Sequence, residues 1–170
     1  MNITRISQAE RKLYERLTIF RDDLYQAAYF AGYLAKRGWH FDPWDRRIRW
    51  PTYMQQAAFT SALVVAYCRP FAKSRSAPTL PMKLAPYRPN ELALHEKLKA
   101  LRNSVYAHSD VELQRVRPTR ISGRASAIVS MPILKLTREE TELVLCMIGK
   151  TVRSIGEKLQ SLIARVESEA

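Results

Sequence analysis

Three histidines are the side chains of this sequence best suited to move a proton near neutral pH, because an unperturbed imidazole titrates near pH 6.5. His40 sits among tryptophans, and His95 falls early in a helical pattern. His108 alone has chemical company: it closes the run Leu101-Arg-Asn-Ser-Val-Tyr-Ala-His-Ser-Asp110. An imidazole can take the proton from a ribose 2′-hydroxyl, which then attacks the adjacent phosphorus. Arg102 can stabilise the charge that gathers on the phosphate oxygens. A guanidinium presents that charge as a fixed fork, which an ammonium does not. Asn103 can hold a phosphate oxygen or orient the imidazole. Asp110 can do the latter, and Tyr106 and His95 lie close enough in sequence to support the group. At 100° per residue, Arg102 and His108 stand about 240° apart on an ideal helix. The helix must therefore end or distort near Tyr106–Ala107, or a partner chain must complete the site. Arg102 shares a stripe with Glu91, His95, Leu98 and Tyr106, in which Glu91 and His95 read as solvated groups behind the site.

The charge balance suits the same chemistry. Net charge is +12, which favours a polyanionic partner. No acid occurs between Asp45 and Glu91, whereas Arg46, Arg47, Arg49, Arg69, Lys73, Arg75, Lys83 and Arg88 do. Arg46, Arg47, Arg49, Arg69, Lys73 and Arg75 are the expected RNA contacts. A second basic block is Arg115, Arg117, Arg120 and Arg124. Neither block is joined to an amphipathic anchor, and no run of 18 apolar residues is present, so no membrane partner is expected. The first twelve residues hold no apolar stretch of leader length, so a cytoplasmic location is expected. Cys68 and Cys146 lie in apolar runs without a second Cys or His at zinc spacing; both read as buried small hydrophobes, and neither a metal nor a cofactor is expected. Gly-rich phosphate loops, paired-carboxylate sites and serine-nucleophile motifs are missing from the sequence, which removes kinase, glycosidase and hydrolase readings.

The elements that must position these residues are helical. At 170 residues the chain reads as a single domain, 1–170. Ser7-Gln-Ala-Glu10 is a capping box. It opens a long helix through Leu13, Leu17, Phe20, Leu24, Ala27, Ala31 and Leu34, with Gly38 as its stop. Residues 39–51 form a rigid connector of three tryptophans, two prolines and three arginines; its aromatic rings could stack bases, although a tryptophan more often plugs a core. From Thr52 to Arg69 the pattern is apolar almost all round, which predicts a central helix buried on several sides, and Pro70 bends it or lies just beyond it. Residues 73–89 hold four prolines and predict a loop long enough for function or mobility. Asn90 is the expected cap of a third helix through Leu92, Leu94, Leu98, Leu101 and Val105. Residues 111–116 and 127–134 could pair as a small β-hairpin around Ser122-Gly123 or stay irregular. Thr137-Arg-Glu-Glu140 is a second capping box before the last long helix. The expected fold is all-α: an antiparallel four-helix bundle with long loops.

The pair Arg102-Asn103 with Ala107-His108, at the end of the third of four helices, resembles the Arg-x(4–6)-His motif of the HEPN superfamily. That superfamily comprises helical-bundle ribonucleases and nucleic-acid-binding proteins of toxin, abortive-infection and RNA-processing systems. The resemblance covers ten residues and the order of the long helices. It implies a HEPN-like bundle and a homodimer whose two motifs meet across a cleft. It also implies cleavage of RNA without metal by Arg102, Asn103 and His108, in a toxin or phage-defence effector with an antitoxin protein as a further partner. Some relatives carry a modified tyrosine two residues after the histidine; here that place is Asp110, so the resemblance does not carry that regulation over. The alternative is a catalytically inactive HEPN-like module that binds RNA or protein.

Overall fold

A computed structural model describes residues 7–42, 45, 47–73, 78–107, 115–130 and 135–168. Four helices dominate it: α1 (Gln8–Arg37), α2 (Trp50–Cys68), α3 (Pro89–Ala107) and α4 (Arg138–Ser168).

The long helices start where local chemistry dictates. The Ser7 hydroxyl accepts the Glu10 backbone N–H, and the Glu10 carboxylate accepts the Ser7 backbone N–H. Thr137 and Glu140 repeat the exchange at the start of α4. Each box satisfies two orphan donors of a first turn. Gly38 ends α1 in the left-handed region at φ 61°, a conformation that costs glycine nothing. The third helix begins two residues earlier than a cap at Asn90 implies. Pro89 is its first residue, and Glu91 accepts the Arg88 backbone N–H at 2.7 Å. A proline fits there because its missing N–H is one the first turn would leave unpaired anyway.

Side-chain pairs set the directions. Tyr33 of α1 stacks on Phe59 of α2, and Asp23 of α1 meets Arg69 just past the end of α2, so α1 and α2 are antiparallel. His40 reaches the Leu136 carbonyl while Glu10 lies in the field of Arg165, so α4 is antiparallel to α1 as well. Glu91 pairs with Lys150 and Lys97 with Glu140, which makes α3 antiparallel to α4. The core between them is built from Leu17, Leu24 and Leu34 of α1, Leu63 and Val64 of α2, Leu98 of α3, and Met147 and Ile155 of α4. This is a four-helix bundle, and among the described residues no helix is long and apolar enough to cross a membrane.

Several expectations need correction. α2 is buried on several sides, against α1, α3 and the turn that follows it, but its apolar pattern runs further round than its neighbours do, and Trp50 and Met54 stay about half exposed on its outer side together with Ala58. Leu92 also points outward, at 44% exposure, because the buried stripe of α3 runs Glu91, Leu94, His95, Leu98. Cys146 is exposed, and only Cys68 is buried.

α2 stops at Cys68, and Pro70 lies inside a 3₁₀ turn (Arg69–Phe71). The described part of the following loop is packed down. Leu80 and Ala85 are buried, the Leu80 N–H reaches the Pro70 carbonyl at 2.7 Å, and a second 3₁₀ turn covers Met82–Leu84. In the tryptophan connector, Trp39 plugs the α1–α2 seam against Tyr33 and Phe59. Gln56, wholly buried, clamps the Phe41 backbone with both ends of its amide. Of the segments expected to pair between α3 and α4, residues 111–114 and 131–134 lie outside the described residues. Between them the chain forms two antiparallel strands, β1 (Arg115–Ile121) and β2 (Arg124–Ser130), with Ile121 opposite Arg124. Both loop residues, Ser122 and Gly123, have positive φ, the conformation that matches the twist of a two-residue hairpin.

Candidate phosphate-binding recess

The 3₁₀ turn after α2 folds the chain back across α3 and leaves a shallow recess of about 170 Å³. Its walls are Cys68, Phe71, Ala72 and Lys73 on one side and Lys99, Arg102 and Asn103 on the other. The three α3 residues follow i, i+3, i+4 spacing, which puts them on one helix face. Three of the seven lining residues are cations and none is an acid. Among the described residues no carboxylate lies within ion-pair distance of Arg102 or Lys73, whereas Lys99 is held by Glu96 at 2.9 Å. Cys68 forms the buried floor. Burial pushes its thiol up to about 12, although Arg102 and Lys99 pull the other way, so it stays protonated and is no nucleophile. A recess of this size falls below the roughly 300–1,000 Å³ of pockets that enclose a small organic ligand; it suits a group the size of a phosphate.

Behind Phe71 lies a buried polar network that the sequence pattern did not reveal. His95 is 2% exposed, not solvated, and its ring meets Phe71 edge-on at 4.6 Å. Its Nδ1 lies 2.8 Å from the Tyr67 hydroxyl, which is 3.2 Å from the Tyr87 hydroxyl, which is 2.9 Å from Thr151 Oγ1. Thr151 donates to the Met147 carbonyl. The direction of every other bond follows: Tyr87 donates to Thr151, Tyr67 to Tyr87, and the Nδ1–H of a neutral His95 to Tyr67. Burial pushes the His95 pKa down, with Lys99 adding to the effect and Glu96 opposing it. It holds both tyrosine phenols above their ordinary value. Glu91 is also buried rather than solvated. Lys150 at 2.6 Å holds its carboxyl below the ordinary value, against the effect of burial, with the Arg88 N–H assisting. His95 and Glu91 thus brace α3 against the rest of the bundle and do not face the recess.

Of the expected site residues, Arg102 and Asn103 stand together in the recess, joined by Lys73 from the expected RNA contacts. Tyr106 falls within the last turn of α3. His108, Asp110, Arg46 and Arg75 lie outside the described residues. Arg69 is tied to Asp23 and Gln26 beside α1, Arg47 is forked onto Asp45, and Arg49 is exposed just before α2. Lys99 was missed, although its place three residues before Arg102 is a legible signal. Among the described residues no cluster of His, Cys, Asp or Glu could hold a metal ion. Compared with known proteins, the chain matches no family model, no curated protein and no solved structure.

Proposed function

We propose that this protein is a metal-independent endoribonuclease of HEPN type that cuts RNA by 2′-hydroxyl attack, with Arg102, Asn103 and His108 as its catalytic group. The observation that carries the reading is the placement of Arg102 and Asn103, the first half of the Arg-Asn…Ala-His motif, on the rim of a cation-lined recess where Arg102 has no carboxylate partner among the described residues. A half-buried guanidinium left unpaired in a basic recess is suited to a phosphate oxygen. His108, one residue past the described end of α3, supplies the base and later the acid. On this reading two copies associate and face their motifs across a shared cleft, and the protein acts as a toxin or phage-defence effector restrained by an antitoxin protein.

The test is incubation of purified protein with mixed RNAs with and without a chelator. Cleavage should survive the chelator, leave 2′,3′-cyclic or 3′-phosphate ends, and stop when the nucleotide at the cut site is 2′-deoxy. His108→Ala and Arg102→Ala should each lower the rate about 100- to 10,000-fold, the range for loss of a general acid, base or charge-stabilising group. Intact RNA with the wild type, or cleavage only with added divalent metal, would leave the binding-module reading in its place.

A further inference from the structure

We propose that Lys73 and Lys99, with Arg102 and Asn103, form a preformed seat for one phosphodiester of single-stranded RNA, so that the recess positions the strand as well as serving the bond that is cut. The inference rests on the reading of the partner as RNA, but not on cleavage.

Four observations converge on it. The seat is assembled from two segments about 30 residues apart, and both are fixed. Pro70 is buried and accepts the Leu80 N–H, the Ala72 N–H closes the 3₁₀ turn on the Arg69 carbonyl, and Leu98, next to Lys99 and one turn before Arg102, is wholly buried. Lys73 therefore leaves a pinned turn and faces a rigid helix. Second, the cations are not balanced locally. Lys99 has Glu96, but Lys73 and Arg102 have no acidic partner among the described residues, and no lining residue is acidic. Like charges gathered around one recess repel, and an anion placed between them relieves that repulsion. Third, the recess gathers charged donors around the Asn103 amide, a neutral donor beside them, which is a set that the oxygens of a phosphate can accept from together. Fourth, the surrounding sequence is acid-free from Arg46 to Asn90, so the strand can run on from the seat without meeting a carboxylate of that segment.

The probe is a short, fluorescently labelled 2′-O-methyl oligoribonucleotide, which cannot be cut by 2′-hydroxyl attack. Its binding is followed by anisotropy across a salt series. Each phosphate contact on a single strand contributes about 0.7 to the log–log salt slope. Lys73→Gln and Lys99→Gln should each lower the slope by about that amount and weaken binding at low salt at least about threefold. Lys12→Gln, which removes the same charge near the start of α1, should leave the slope unchanged. Lys73 has no acidic partner among the described residues, so its variant keeps the test valid if Lys99→Gln, which also releases Glu96, folds poorly. A Lys73→Gln slope equal to that of Lys12→Gln overturns the seat. So does a recess that takes inorganic phosphate, seen as Lys73-dependent chemical shifts, while the RNA slope stays at the wild-type value. Loss of slope in a protein that leaves cleavable RNA intact keeps the seat and rejects the nuclease. Cleavage with an unchanged slope does the reverse.

Discussion

Tyr67→Phe removes one oxygen from the centre of the bundle and keeps the ring. Tyr67 is wholly buried, and its hydroxyl accepts from His95 Nδ1 at 2.8 Å and donates to Tyr87 at 3.2 Å. Without it Tyr87 still donates to Thr151, so the half of the network nearer α4 survives. The His95 N–H is left buried with no acceptor, at a cost of about 1–3 kcal/mol, and the lost bond to Tyr87 adds about 1 kcal/mol. A loss of roughly 2–3 kcal/mol is expected once the apolar gain of the bare ring is set against that sum. At about 2–4 °C per kcal/mol for a chain of this size, the melting temperature should fall by roughly 4–12 °C. The assay is urea unfolding followed by circular dichroism, in which the midpoint should fall while the slope m stays constant. A midpoint within about 0.5 kcal/mol of the wild type, the range of ordinary surface changes, would refute the directed chain from His95 to Met147.

The pH dependence of stability should show two acid steps. His95 is held neutral, below its ordinary pKa, so the unfolded chain binds the extra proton first and stability falls as pH drops below about 6.5; urea midpoints from pH 8 to 5 should decline, and those of His95→Gln should stay flatter. Glu91 is held ionised by Lys150, so its share of stability is present above the ordinary carboxylate range and is lost as pH falls through and below about 4.5. Lys150→Met should cost about 1–3 kcal/mol at neutral pH by leaving a buried carboxylate without its cation. That penalty should shrink in acid, and an equal penalty at pH 7 and pH 4 by urea titration would contradict the pairing.

Local chemistry made the ends of the long helices legible. Ser7 with Glu10, Thr137 with Glu140, and Gly38 act within one turn, so the residues that make the bonds are neighbours in the sequence. The basic balance and the motif at Arg102-Asn103 could be read the same way. Other features depend on segments that meet only after folding. Nothing near His95 announces that Tyr67, Tyr87 and Thr151 will converge on it from three other parts of the chain, and a lone helical histidine reads as solvated until they do. Gln56 looks like an exposed polar residue until the Phe41 backbone arrives to use both ends of its amide. The uncharged run of α2 predicts burial on several sides, but which of its apolar faces stays open, at Trp50 and Met54, is decided by where the neighbouring helices lie. The recess is the clearest case. Sequence placed Arg102 and Asn103 late in the third helix and Lys73 in a loop about 30 residues away. Tertiary structure set them around one cavity, because the turn at Pro70 is anchored by Leu80 and folds Lys73 back onto α3. Bonds within a turn are encoded by spacing; the meeting of distant segments is decided by which apolar surfaces bury one another.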